Sequence, residues 1–136
     1  MFDATQYATL RAVVDCMIPA DESPGGLQAG VDRYIMHLLQ HDGAGWYPQY
    51  VAALNALQLE AQLRYQCGFA ELSLAQATAL LQVIAAGDTQ ASWHTDAPSW
   101  LAMAAEHCAE GFYADPRQGP HRDAVAWQML GYEERR

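Results

Sequence analysis

Apolar residues recur at three- and four-residue spacing along nearly the whole chain, and no useful stretch alternates apolar with polar. That period marks one-sided helices and leaves no room for a fold built on strands. Proline, glycine and cap residues cut the pattern into pieces. Tyr7, Leu10, Val13, Val14, Met17 and Ile18 share a first face. Pro19 ends that helix, because proline pushes the residue before it out of the α region. Ser23 followed by Pro24 predicts an N-cap and a first-turn proline for a second helix. Its stripe is Leu27, Val31, Tyr34, Ile35, Leu38 and Leu39, and Asp42-Gly43-Ala44-Gly45 breaks it. A third helix is predicted over about residues 48–66, with face Tyr50, Val51, Leu54, Leu57, Ala61 and Tyr65, and with Gly68 as its C-terminal cap. Ser73-Leu74-Ala75-Gln76 is a capping box that opens a fourth helix carrying Leu80, Leu81, Val83 and Ile84, stopped at Gly87. After an irregular stretch around Trp93, Ser99 is placed as the cap of a fifth helix bearing Trp100, Leu101, Met103, Ala104, Cys108 and Phe112. A long turn at residues 115–120 and a short helix over about residues 123–130 close the chain. The expectation is an all-α fold: one compact single-domain bundle over residues 1–136, with about five main helices and a short C-terminal one.

Composition supports a folded chain and narrows its partners. The chain has 136 residues, 51% hydrophobic and 17% charged, which is one domain with enough apolar material for a core. No apolar run approaches the roughly 20 residues that cross a bilayer. Seven basic residues, all arginine, stand against 16 acidic ones, a net charge of −9. Nucleic acid is therefore not an expected partner, since phosphate binding needs a basic footprint. Cys16, Cys67 and Cys108 form no CxxC pair, which removes zinc ribbons and thioredoxin-type chemistry. Three buried thiols are the plainer reading; one bridge with one free thiol is the other. The first residues show neither a basic n-region nor an apolar h-region, so the chain as written is expected in the cytoplasm. A signal removed, or supplied by another subunit, would place it in the periplasm instead.

Candidate chemistry is sparse. His37 and His41 lie four apart and share a helix face, a spacing that can hold a metal. The glutamate that a zinc hydrolase places beside the first histidine is missing, and a solvated helix edge explains the pair as well. His107 and Cys108 are adjacent and point about 100° apart on a helix, so they cannot serve each other as base and nucleophile. A Cys–His pair would need His94 or His121 brought in by folding. There is no GxSxG elbow, no glycine-rich phosphate loop, and no strand ahead of Gly25-Gly26 or Gly30. Glu106 and Glu110 read as a solvated edge. The aromatic residues near breakers are either core corners or partner anchors. Four of the seven arginines lie beyond residue 116, where Arg117 and Arg122 sit close to Asp115 and Asp123. They either staple a turn or face a second protein together with Trp127.

Two long stretches carry a resemblance. One runs Val13-Val14-Asp15-Cys16-Met17-Ile18-Pro19-Ala20-Asp21-Glu22-Ser23-Pro24-Gly25-Gly26 into Ala29-Gly30-Val31. The other is Glu110-Gly111-Phe112-Tyr113-Ala114-Asp115-Pro116-Arg117 with Arg122-Asp123 and the closing Trp127 to Tyr132, and Phe69-Ala70-Glu71-Leu72-Ser73 matches between them. In order and spacing these resemble the gluconate 2-dehydrogenase subunit 3 family, which includes the gamma subunit of flavin-dependent glucose dehydrogenases. The resemblance implies an all-helical accessory subunit, without catalytic residues, cofactor or metal of its own, paired with a large flavin-dependent oxidoreductase subunit that holds FAD and oxidises a sugar or sugar acid. A cytochrome subunit often carries the electrons onward in such complexes. The implied role is to support folding, stability or export of the partner. Family members typically begin with a twin-arginine signal, and this chain does not. Expected partner anchors are Trp100, Tyr113, Arg122 and Trp127. The competing expectations are a stand-alone metal-assisted enzyme using His37 and His41, and a homo-oligomeric helical protein without a flavoprotein partner.

Overall fold

A computed structural model of the chain describes residues 2–20 and 25–114. Five α-helices follow one another: α1 Ala4–Met17, α2 Val31–Gln40, α3 Tyr47–Tyr65, α4 Leu74–Ala85 and α5 Ala97–Tyr113. Single 3-10 turns at Ala44–Trp46 and Phe69–Glu71 lead into α3 and lie ahead of α4. No strand occurs among the described residues, so the all-α expectation holds. The expected helix over 123–130 lies outside the described residues.

Local chemistry sets each helix start. Asp3 caps α1: its carboxylate accepts from the Gln6 N–H at 2.7 Å, and the Gln6 side chain accepts from the Asp3 N–H at 3.0 Å. The same reciprocal box opens α4 through Ser73 and Gln76, with both bonds at 3.1 Å. α5 is capped by Asp96, whose carboxylate accepts from the Ser99 N–H at 3.0 Å, and not by Ser99. Pro98 decides between the two: a proline is at home in the first turn, where its missing N–H costs nothing, so the cap must precede it.

Two other boundaries depart from the sequence pattern. α2 begins at Val31, because Gly30 takes the left-handed conformation with φ +80 and closes a turn over residues 26–30 before the helix can start. Leu27 thus precedes the helix, and Ser23 and Pro24 lie outside the described residues. At the end of α3, Gln66 adopts the left-handed cap with φ 61, while Gly68 is extended and starts the next 3-10 turn. The turn before α2 folds back hard onto the end of α1. The Gly26 N–H donates to the Ile18 carbonyl at 2.7 Å, and a Cβ on Gly25 would lie 2.6 Å from the Ala20 nitrogen. Only glycine permits that approach.

The buried side chains form one cluster contributed by all five helices. α5 packs on α4, α2, α3 and α1, and α1 packs on α3, α4 and α2. Alanines at 97, 104 and 105 on α5 let its neighbours come close, while Trp100, Leu101, Cys108 and Phe112 fill the space between them. Cys16 and Cys108 are buried and unbridged, and Cys67 is half-buried and unbridged. Burial pushes the Cys16 thiol up to about 11 and the Cys108 thiol up to about 12, so both stay protonated and behave as small apolar groups.

Candidate functional site

The polar side chains best placed for chemistry are spent on holding the fold. Glu60 on α3 has a side chain that is 0% exposed and yet ionised. It accepts from the Gln90 N–H at 2.9 Å, the Ala91 N–H at 2.7 Å, the Trp93 indole N–H at 3.2 Å and the Arg64 Nε–H at 2.9 Å. Burial alone would raise its pKa. The donors at Ala91, Arg64, Trp93 and Gln90 outweigh that and hold it below the usual carboxylate value. Arg64 also donates to the Asp88 carbonyl at 2.7 Å. One carboxylate therefore ties the irregular segment between α4 and α5 down onto α3.

Asp32, in the first turn of α2, is the second buried carboxylate, 0% exposed. Its Oδ2 accepts from the Tyr7 hydroxyl at 2.6 Å and from Arg11 at 2.9 Å, which joins α2 to α1. Its Oδ1 is buried and has no hydrogen-bond partner among the described residues. Glu60 is saturated with donors, whereas Asp32 is half-served. A carboxylate at a helix N-terminus gains from the helix dipole, which partly offsets the missing bond.

A third polar element is a pair in the core. Tyr50 on α3 and His107 on α5 are joined by a 2.7 Å hydrogen bond between the phenol oxygen and Nδ1. Burial pushes the Tyr50 hydroxyl well above its usual value and pulls His107 below its own, with the Glu110 and Glu106 charges opposing the latter. Both groups are thus neutral near pH 7. Around them runs a file of rings. Trp46 lies 4.8 Å from His107, His107 5.8 Å from Tyr50, Tyr50 5.5 Å from Trp100, and Trp100 6.4 Å from Trp93. This file fastens α3 to α5 and meets the Glu60 network at Trp93.

The residues singled out from the sequence scatter. His37 and His41 are exposed on the last turns of α2 and its cap, with rings stacked at 4.1 Å. His41 Nδ1 bonds the His37 carbonyl at 2.9 Å, and no group of three or more metal-ligating side chains occurs among the described residues. His107 is turned into the core toward Tyr50 and Cys108 is buried, so the two form no reactive pair. His94 is exposed on the segment before α5; His121 lies outside the described residues. Glu106 and Glu110 are exposed, and Glu110 accepts from the Tyr34 hydroxyl at 3.2 Å.

Of the four expected anchors, Trp100 is a core residue, 2% exposed, so it offers a partner no surface without local unfolding. Its indole N–H is buried and has no partner among the described residues. Tyr113 ends α5 and is 41% exposed. Arg122 and Trp127 lie outside the described residues. Missed altogether were Glu60 and Asp32. Each sits on its helix's apolar stripe, Glu60 between Leu57 and Ala61 and Asp32 with Ile35 and Leu39. A charge at such a position signals a buried partner.

Grooves flank α1. One of about 450 Å³ between α1 and α2 is lined by Phe2, Tyr7, Met36, Arg33 and His37 among others. Another of about 240 Å³ runs along Ala8, Ala12, Asp15 and Cys16 against Leu27 and Leu72. In the second, burial pushes the Cys16 thiol up to about 11, so it stays protonated beside Asp15. No described helix is long and apolar enough to cross a membrane.

Comparison with known proteins agrees with this picture. No curated protein and no solved structure gives a significant match. The family model described as gluconate 2-dehydrogenase subunit 3 matches residues 4–133, nearly the entire chain. A chain so covered, with five α-helices and no strand among its described residues, belongs to the gluconate 2-dehydrogenase subunit 3 family.

Proposed function

We propose that this chain is a non-catalytic small subunit of a flavin-dependent dehydrogenase acting on a sugar or sugar acid, and that it stabilises the flavoprotein subunit by packing against it. The family match over residues 4–133 carries this reading, since the family is named as subunit 3 of gluconate 2-dehydrogenase. The fate of the polar groups supports it. Glu60, Asp32, Tyr50 and His107 are buried and engaged with the chain's own backbone and side chains. In this reading the flavin belongs to the partner subunit; a Rossmann-type cradle runs from a strand through a glycine-rich loop into a helix, and the described residues contain no strand.

The mechanism is linkage. A subunit that binds only the folded, flavin-loaded partner shifts that partner's folding equilibrium in proportion to the logarithm of its concentration over Kd. Substrate oxidation and electron transfer stay with the partner and any cytochrome attached to it. The test is co-expression with a large flavin-dependent oxidoreductase subunit from the same source, followed by capture on one tagged chain. Co-elution in fixed ratio, with more soluble flavin-loaded partner than is made without this chain, is the expected result. Equal yield and activity of the flavoprotein in its absence would refute the proposal.

A further inference from the structure

α3 is the longest described helix, and its outward side, like that of α4, carries no charge. Ala52, Asn55, Leu59, Gln62, Leu63 and Gln66 follow helical spacing along that side, and none is charged. Leu59 and Leu63, one turn apart, are 50% and 55% exposed. The only charged residues of α3, Glu60 and Arg64, are turned aside and bonded to each other and to the segment before α5. The elements bordering the face bring acidic side chains. Gln6 bonds Asn55 at 3.1 Å, which sets the start of α1 with exposed Asp3 beside it. The Phe69 N–H donates to Gln58 at 3.1 Å, which sets exposed Glu71 on the same turn nearby. Exposed Asp88 follows α4 and holds Arg64 through its carbonyl.

A charge-free strip of amides around two exposed leucines, with acidic residues nearby, selects its occupant. A second copy would set acidic border against acidic border in a chain already at −9. Contact over α3 alone would also bury too little, whatever the partner. A helix of 19 residues is about 28 Å long at 1.5 Å per residue. Helix-on-helix contact over that length falls short of the roughly 800 Å² per partner of a stable interface. The complementary surface is an apolar ridge or groove fringed by Lys or Arg, on a protein large enough to extend past α3 on both sides. We infer that the outer face of α3 is the seat of the catalytic partner, met by an apolar surface of that subunit flanked by basic residues. This rests on the accessory-subunit reading above.

The experiment uses the full chain and the isolated flavoprotein subunit. Binding is compared for the wild type, for Leu59→Glu with Leu63→Glu, and for a control, Ala79→Glu with Gln82→Glu, which adds the same charge on exposed positions of α4. Leu63→Gln serves as a milder probe. The α3 double variant is expected to bind on the order of 30-fold more weakly or worse, because a charge is forced into an apolar contact. The control should bind like the wild type, and wild-type affinity should fall as salt rises. The melting temperature of the α3 variants should stay within about 2 °C of wild type, as for other exposed positions. Unchanged binding by both α3 variants, with the wild type bound, overturns the assignment of this face and leaves the accessory reading standing. A wild-type chain that binds no flavoprotein subunit fails that reading, and the assignment falls with it. A drop of more than about 5 °C in the α3 variants would mean that the chain itself covers the face. A wild-type dimer dissolved by Leu63→Gln would give the face to a second copy. Either result overturns the assignment.

Discussion

Leu57 and Leu59 stand two residues apart on α3 and live in opposite surroundings. Leu57 is 0% exposed in the shared core, and Leu59 is 50% exposed on a side without charge. The inner side of the helix carries both its charges, locked in the Glu60 network. The outer side carries two leucines and amides. Apolar groups fill the inner side as in any globular protein, but charges ordinarily point outward, and on α3 they do not. The difference teaches that the inner side, charges included, builds this chain, whereas the outer side adds no charge to the surface and is where the proposed partner is expected to sit.

That contrast can be broken by substitution. The largest loss of stability is expected from Glu60→Ala, which strands two backbone N–H groups, the Trp93 indole and a guanidinium in or near the core. About 3 to 5 kcal/mol should be lost, a melting shift on the order of 10 °C or more by thermal denaturation. Glu60→Gln should also remove an acid-sensitive slope. The Glu60 pKa is held down in the folded state, so its contribution is complete above the ordinary value of 4.5 and is lost as pH falls through the depressed one. A similar or somewhat smaller loss, about 2 to 5 kcal/mol, should follow Leu57→Ala, read by denaturant titration.

His107 gives a smaller effect with a definite sign. Its folded pKa lies below 6.5, so the unfolded chain takes up the proton first as pH drops. Stability should be constant above about 6.5, decline as pH falls from there through the depressed value, and then level off. His107→Phe should flatten that window in pH-dependent melts. The smallest effect belongs to Leu59→Ala, within about 0.5 kcal/mol of wild type, although it should weaken partner binding. A large destabilisation by Leu59→Ala would erase the distinction between the two sides of α3.

The helices were legible wherever one local signal stood alone. Pro19 stopped α1, Gly87 stopped α4, and Ser73 with Gln76 opened α4 as the pattern predicted. Boundaries slipped where two residues competed for one role. Asp96 and Ser99 can both cap, and Pro98 chose the first. Gly68 looked like the end of α3, but Gln66 took the left-handed turn. Gly30 delayed α2 past its apolar residue Leu27. The polar interior was less legible, because a lone Glu or Asp on an apolar stripe signals burial without naming the partners that permit it. For Glu60 those partners lie 30 to 33 residues away at Gln90, Ala91 and Trp93. Trp100 shows the same blindness in reverse: its type suits an interface, but packing against Tyr50 and Trp93 put it in the core.

The most direct measurement is the yield of soluble, flavin-loaded oxidoreductase subunit made with and without this chain, alongside sugar-dependent dye reduction by the chain alone. A several-fold gain in loaded partner, together with no turnover by the purified chain, is the result expected of an accessory subunit. Equal yield in both preparations, or turnover of any sugar by this chain in isolation, would contradict it.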